Sequence, residues 1–154
     1  MKKIMVLLAA LSITAVLAGC AGTVAESSEL SKEGTVSFSL ESDLAQVAAK
    51  AKVLQDKLEK ETLTQAEMNA TAEELYRLWN DELNAVWALL QNKLPSDEME
   101  KLTEEERTWI AEKEKAVQAA GAEVEDGSMQ SLVTATEAAK WTEKRVYELA
   151  ERLK

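Results

Sequence analysis

Apolar residues recur at helical spacing through the middle of the chain, and this pattern constrains the fold more than any other feature. The stripe consists of Met68, Ala72, Leu75, Trp79, Leu83, Val86, Leu90 and Leu94. At about 100° per residue these side chains fall within a sector of roughly 100°, the width expected for a helix face that packs on a core. Thr64 and Glu67 form a capping-box pair before the stripe, and Pro95 cannot continue it. We therefore predict a helix that ends at Leu94.

An earlier segment, residues 42–60, has the same period. Its stripe consists of Leu44, Val47, Ala51, Leu54 and Leu58. We predict that this extra amphipathic helix packs on the others as a fourth member of a bundle. A coiled-coil dimer is the alternative, but the segment covers too few heptads to favour it.

A third helix is predicted to start after Pro95, with Ser96 as its N-cap and acidic residues in its first turn. Its apolar face comprises Met99, Leu102, Trp109, Ala116, Val117 and Ala120. Thr103 and Glu106 offer a second capping box, which allows a break near Leu102. Glu106 and Lys113 fall on the apolar face, so we expect them at its edge or paired with another helix.

Residues 121–127 (Gly-Ala-Glu-Val-Glu-Asp-Gly) interrupt the helical period as an acidic loop. Ser128 is predicted to open the last helix. The buried face of that helix includes Ala135, Ala138, Thr142, Val146, Leu149 and Leu153. The predicted fold is all-α, a three- to four-helix bundle with short connections.

The first 19 residues have the features of a bacterial lipoprotein signal peptide. Lys2 and Lys3 precede an apolar run that is too short for a stable transmembrane helix, and residues 17–20 (Leu-Ala-Gly-Cys) match a lipobox. Cys20 is the one cysteine in the chain, which favours lipidation over an ordinary signal peptide or a free thiol. A fully processed lipoprotein carries three acyl chains on this residue, and these hold it firmly in a membrane.

The predicted organisation follows from these boundaries. Residues 1–19 are the signal peptide, 20–41 a flexible, extended tether, 42–60 the extra helix and 62–154 the main helical domain. Within the tether Val36, Phe38 and Leu40 alternate with polar residues, but a lone strand there has no partner. The protein is expected in the cell envelope: on the outer membrane facing the periplasm if there is one, otherwise on the outer face of the cell membrane.

Charge and composition narrow the function. Signal-peptide removal deletes Lys2 and Lys3, which changes the net charge from −10 to −12. Such a surface repels nucleic acid and favours basic partners. Histidine is absent, and no free thiol, metal motif or cofactor motif remains once Cys20 is acylated. We therefore expect a monomeric binding protein rather than an enzyme, with no cofactor other than the covalent lipid.

Residues from about 64 to 153 resemble the LprI-like lysozyme-inhibitor family. The matching segments are residues 64–69 (Thr-Gln-Ala-Glu-Met-Asn), 81–84 (Asp-Glu-Leu-Asn) with Trp87, 107–110 (Arg-Thr-Trp-Ile), 127–128 (Gly-Ser) and 142–145 (Thr-Glu-Lys-Arg) with Leu149. The resemblance implies a helical exported domain and, for the family's namesake, inhibition of lysozyme. The family's usual cysteines are missing: those regions hold Ala70-Thr71, Val117 and Ala138-Ala139. The family's arginine after the tryptophan is Lys113 here.

Two groups of polar residues are candidate contacts for a protein partner. Asp81 and Asn84 lie nearly opposite the apolar stripe of their helix, beside Arg77. They either brace a neighbouring helix, with Arg145 as a partner, or form a recognition patch; the bracing role is favoured because polar networks often fix helix register. Trp79 and Trp109 are predicted to be core residues, and Trp87 and Trp141 to lie at stripe edges.

The second group is the acidic loop with Glu123, Glu125, Asp126 and Ser128. A glycosidase cleft already holds two carboxylates, so acidic residues suit the rim and a neutral group such as Ser128 suits the cleft. The leading hypothesis is a membrane-anchored lipoprotein that binds and inhibits lysozyme. The alternative is an envelope adaptor that binds another protein through the first helix or the Asp81/Asn84 face.

Overall fold

The computed structural model describes residues 29–124 and 127–154. Its four helices are α1 (Glu29–Lys60), α2 (Gln65–Lys93), α3 (Ser96–Ala122) and α4 (Gln130–Glu151). The predicted all-α bundle is confirmed. The predicted signal peptide, Cys20 and the first part of the predicted tether lie outside the described residues. Within the described ranges, no helix has the length and apolar content that crossing a bilayer requires.

Helices α2 and α4 form the centre of the bundle. They pack extensively on each other, while α1 packs on α2 and α3 packs on α4. The two central helices run in the same direction, because Lys93 at the end of α2 donates a hydrogen bond to the Leu153 carbonyl at 2.7 Å. The largest fully buried side chains include Trp79, Val86 and Leu90 of α2 and Val146 and Leu149 of α4. The core is therefore mainly the seam between these two helices.

The predicted limits of α2 are confirmed. The Thr64 hydroxyl accepts from the Glu67 N–H at 3.3 Å, and the Glu67 carboxylate accepts from the Thr64 N–H at 2.8 Å. At the other end the Leu94 N–H still bonds to the Leu90 carbonyl at 2.8 Å, and Pro95 follows. Local side-chain chemistry thus determines both ends of this helix.

The start of α1 differs from the sequence prediction. The helix begins at Glu29, so the extended tether predicted up to residue 41 is wrong from Glu29 onward. Leu40 is buried and extends the stripe of Leu44 and Ala51 by one turn, beside Leu153 at the end of α4. At Leu40 this tertiary burial outweighs the local alternation of apolar and polar residues that favoured an extended chain.

Two predicted helix starts also need correction. Ser96 is the first residue of α3 rather than its cap, and its side chain makes no capping bond. Helix α3 is continuous past Leu102, and the Thr103 hydroxyl donates to the Met99 carbonyl at 2.7 Å within the helix instead of capping a new one. Helix α4 starts at Gln130, two residues after the predicted Ser128.

Candidate functional site

The loop between α3 and α4 is the candidate partner-binding site, and short backbone turns build it. The Val124 N–H bonds to the Gly121 carbonyl at 3.2 Å, and the Gly127 N–H bonds to the Val124 carbonyl at 3.0 Å. The Gln130 N–H then bonds to the Gly127 carbonyl at 3.1 Å and leads into α4. These turns close a short helix–helix connection at one end of the bundle.

Gly121 sets how closely α3 and α4 approach at the base of this loop. The residue is buried, and a Cβ atom built on it would lie 2.8 Å from Cγ2 of Thr134 on α4. A side chain at this position would force either Thr134 or the two helices to shift. The loop therefore connects two helices, α3 and α4, that pack tightly against each other at its base.

The loop presents neutral and acidic side chains together. Glu123 and Ser128, two of the residues proposed from the sequence as partner contacts, are exposed, and Met129 beside Ser128 is an exposed large hydrophobic residue. Sequence periodicity did not identify Met129, because it falls in the loop and outside every apolar stripe. Glu125 and Asp126 lie outside the described residues. A neutral tip with an acidic neighbour is a suitable contact surface for a basic protein.

The second predicted group, Asp81 and Asn84, lies on the outer face of α2. Both residues are exposed, and neither side chain makes a hydrogen bond or an ion pair within residues 40–124 and 127–154. Neighbouring Arg77 lies near Glu73, at 3.9 Å from its carboxylate, rather than at Asp81. The Asp81/Asn84 group is separate from the α3–α4 loop. The residues of α2 that line the groove beside the loop are Glu73 and Tyr76, not Asp81 or Asn84.

The favoured bracing role of Asp81 and Asn84 with Arg145 is wrong. Arg145 is buried on α4, and its Nε lies 2.8 Å from Oε2 of Glu106 on α3. Its Nη1 lies 3.3 Å from Glu148, and its guanidinium is 5.8 Å from the centre of the Trp109 ring. The sequence pattern placed Glu106 on an apolar face, where its charge needs a partner. That partner is Arg145 on α4. The brace between helices is thus the Arg145–Glu106 pair.

Lys113 is the other charged residue predicted on the apolar face of α3. Its ammonium lies 4.8 Å from the centre of the Trp109 ring and 5.6 Å from that of Tyr76 on α2. Burial lowers the pKa of Lys113, while nearby Glu114 and Glu106 act in the opposite direction. Lys113 therefore connects α3 to α2 through cation–π contacts with the Trp109 and Tyr76 rings.

A carboxylate-rich region lies where α1, α2 and α4 meet. Burial raises the pKa of Glu82 on α2, and the charge of Asp43 on α1 adds to the shift. Burial also raises the pKa of Glu143 on α4 and that of Tyr147, whose ring lies 5.8 Å from the Trp79 ring. In the part of the chain that the structure describes, no group of acidic residues is arranged to hold a metal ion.

Trp79 and Trp109 are core residues as predicted, and Trp87 and Trp141 are partly buried against the core. Thr142 is fully buried and donates to the Ala138 carbonyl at 2.7 Å. Within residues 142–145, Thr142 and Arg145 therefore face the interior, whereas Lys144 is exposed.

Comparison with known proteins gives one finding. The model of a family described as "Lysozyme inhibitor LprI" matches residues 56–149. The match begins in the last turn of α1, earlier than the residue 64 at which the sequence resemblance starts, and it includes the α3–α4 loop. No curated protein and no solved structure was found to match the chain.

Proposed function

Because the chain belongs to the LprI lysozyme-inhibitor family, we propose that it binds and inhibits lysozyme through the α3–α4 loop. The observation that carries this assignment is the exposed pair Ser128 and Met129, in the same connection as acidic Glu123 and inside the matched region. A protein inhibitor of this kind acts by occupying an enzyme's surface, so it needs no catalytic groups of its own.

The chemistry of the loop fits a basic partner with a glycosidase cleft. Such a cleft holds two carboxylates, which repel an inserted acidic side chain. Ser128 and Met129 bring no charge into the cleft, whereas Glu123, Glu125 and Asp126 would meet basic residues at its rim. The negative charge of the whole protein steers a basic lysozyme toward it at low salt.

We further propose that the protein is anchored in the cell envelope by lipid on Cys20. The lipobox at residues 17–20 and the position of the single cysteine support this anchor. The acylated cysteine would hold the bundle at the membrane surface, where lysozyme arrives. Mass spectrometry of the mature N-terminus should find acylated Cys20, and Cys20→Ala should abolish both acylation and processing. An unmodified Cys20, or cleavage elsewhere, would refute the anchor.

Association kinetics test the proposed surface. The triple variant Glu123→Gln, Glu125→Gln, Asp126→Asn should slow association with a basic lysozyme, and the slowing should be largest at low salt. The matched control is a second triple variant, Asp97→Asn, Glu98→Gln, Glu100→Gln. It removes the same number of negative charges at the other end of α3, about 40 Å away. Equal slowing by the two triples would show that only net charge matters and that the loop is not the contact.

The adaptor function is the second candidate, and the outer face of α2 supports it. Asp81 and Asn84 are exposed and unbonded to the described residues, so the fold does not explain their presence in a family-like segment. The first helix is a less suitable docking element, since its stripe already packs on the core. Under this function, Asp81→Lys should abolish capture of an envelope protein and leave lysozyme inhibition unchanged.

A further inference from the structure

A groove runs between α2, α3 and α4 beside the loop. It has a volume of about 560 Å³, within the usual range for small-molecule sites. Tyr76 of α2 and Lys113 of α3 line it together, and the Lys113 ammonium also lies over the Trp109 ring. A cation held between two aromatic rings is thus one wall of the groove.

The Lys113 ammonium forms no ion pair with the described residues, although Glu114 and Glu106 are close enough to raise its pKa. Among residues 40–124 and 127–154, no carboxylate lies within ion-pair distance of its Nζ. The side chain is half-buried, so water solvates the charge incompletely. A half-buried ammonium of this kind is stabilised by a ligand that brings a carboxylate to it.

The rest of the groove combines apolar side chains, among them Val117, Ala135 and Ala138, with groups that can form hydrogen bonds. Gln118, Gln130 and Ser131 line it, and none of these side chains bonds to another described residue. Their amides and hydroxyl can donate and accept, which matches the hydroxyl and acetamide groups of a sugar. Glu73 and Glu114 also line the groove, but both are exposed, so solvent screens their repulsion of an anion.

We propose that this groove binds an acidic amino sugar, with the sugar carboxylate paired to Lys113 and its hydroxyl and acetamide groups bonded to Gln118, Gln130 and Ser131. This site is separate from the proposed lysozyme contact. A protein at the cell envelope with such a site would attach to carboxylated glycan as well as to the membrane.

Calorimetric titration of the full-length protein in a nonionic detergent tests the proposal with three probes. N-acetylmuramic acid carries the ring, the acetamide and a carboxylate; N-acetylglucosamine lacks the carboxylate; lactate lacks the sugar. We expect 1:1 binding of N-acetylmuramic acid and at least about tenfold weaker binding of the other two, because each of them lacks one of the two groups of contacts. Equal binding of N-acetylglucosamine would overturn the role of Lys113, and equal binding of lactate would overturn the sugar site.

Variants identify the residue responsible. Lys113→Met should weaken binding of N-acetylmuramic acid about tenfold or more, and Lys113→Arg should retain it. Lys115→Met removes an exposed cation from the same helix outside the groove and should have no effect. Gln118→Ala, at an exposed position, should weaken binding without affecting the fold. If Lys113→Met and Lys115→Met bound N-acetylmuramic acid with equal affinity, the site would be refuted. It would also be refuted if the unchanged protein bound no N-acetylmuramic acid at millimolar concentration.

Lysozyme inhibition, measured on the same variants, separates this proposal from the proposed function. Lys113→Met should inhibit lysozyme as well as the unchanged protein does. Loss of sugar binding with inhibition intact supports two sites, whereas parallel loss of both would mean that the groove is part of the lysozyme contact and would overturn a separate sugar site.

Discussion

At the scale of single residues, the Arg145–Glu106 pair is the main polar connection between α3 and α4. Both side chains are nearly buried, at 10% and 13% exposure, so water screens their attraction little. A second pair across the same two helices, Arg152 with Glu105, has the same 2.8 Å separation but is about half exposed. The two pairs differ in burial rather than in distance, which allows a direct comparison.

Replacing Glu106 should destabilise the protein much more than replacing Glu105. Glu106→Gln leaves the buried Arg145 charge without its main counter-ion, at an expected cost of about 2–3 kcal/mol in the free energy of unfolding. Glu105→Gln should cost less than about 1 kcal/mol, because the exposed pair contributes little. Urea unfolding followed by circular dichroism measures both. Equal costs would show that burial does not strengthen the Arg145–Glu106 pair.

Glu82 should make stability depend on pH in the opposite sense to an ordinary paired carboxylate. Its pKa in the folded protein is raised above the usual value of 4.5, first by burial and then by Asp43. The folded state therefore binds this proton more tightly than the unfolded state, and its ionisation destabilises the fold as pH rises. Below the unfolded pKa, where Glu82 is protonated in both states, this cost is absent.

Glu82→Gln should accordingly raise the melting temperature at pH 7, and the gain should shrink as pH falls toward 4.5. Glu74→Gln, an exposed position on the same helix, is the control and should show no such trend. Thermal melts at several pH values provide the measurement. A gain that is constant with pH, or absent at pH 7, would contradict the account of Glu82.

Sequence patterns identified the buried residues of α4 well but not their polar partners. Periodicity placed Thr142, Val146 and Leu149 on the buried face, and all three are fully buried. The partner of Arg145 is 39 residues away, and no local rule relates the two positions. The presence of Glu106 on an apolar face indicated that a partner exists without showing which residue it is.

At the scale of elements, helices whose ends depend on local chemistry were predicted more accurately than helices whose ends depend on packing. Helix α2 has a capping box before it and a proline after it, and both limits hold. Helix α1 starts earlier than predicted, and the burial of its Leu40 beside the end of α4 is a tertiary effect that the local pattern does not show. The α3–α4 loop was predicted from its composition, whereas the exposure of Met129 required the structure.

Packing of α1 on the bundle is tested by two adjacent residues. Leu54 is partly buried against the core, while Val53 is 66% exposed. Leu54→Ala should lower the free energy of unfolding by about 1–2 kcal/mol, and Val53→Ala by less than about 0.5 kcal/mol. Denaturant unfolding compares them. Equal and negligible effects would show that α1 does not belong to the folded unit.

At the scale of the whole molecule, α2 and α4 form a central pair with α1 and α3 on its two sides. In the regions where family members usually carry cysteines, this chain has small side chains in the interior, among them Thr71 at 2% and Ala139 at 2% exposure. With a single cysteine in the sequence, no disulfide can form within the chain, so packing and buried polar pairs hold the bundle together. The arrangement leaves the α3–α4 loop and the outer face of α2 available to partners.

The central claim is that this bundle inhibits lysozyme, and a lysis assay tests it most directly. The full-length protein should slow lysis of cell walls by a basic lysozyme, with inhibition complete near a 1:1 ratio at micromolar protein. The triple variant of Glu123, Glu125 and Asp126 should inhibit less at low salt, and the Asp97, Glu98 and Glu100 control should inhibit normally. Unchanged lysis with several types of lysozyme would contradict the account and favour the adaptor function.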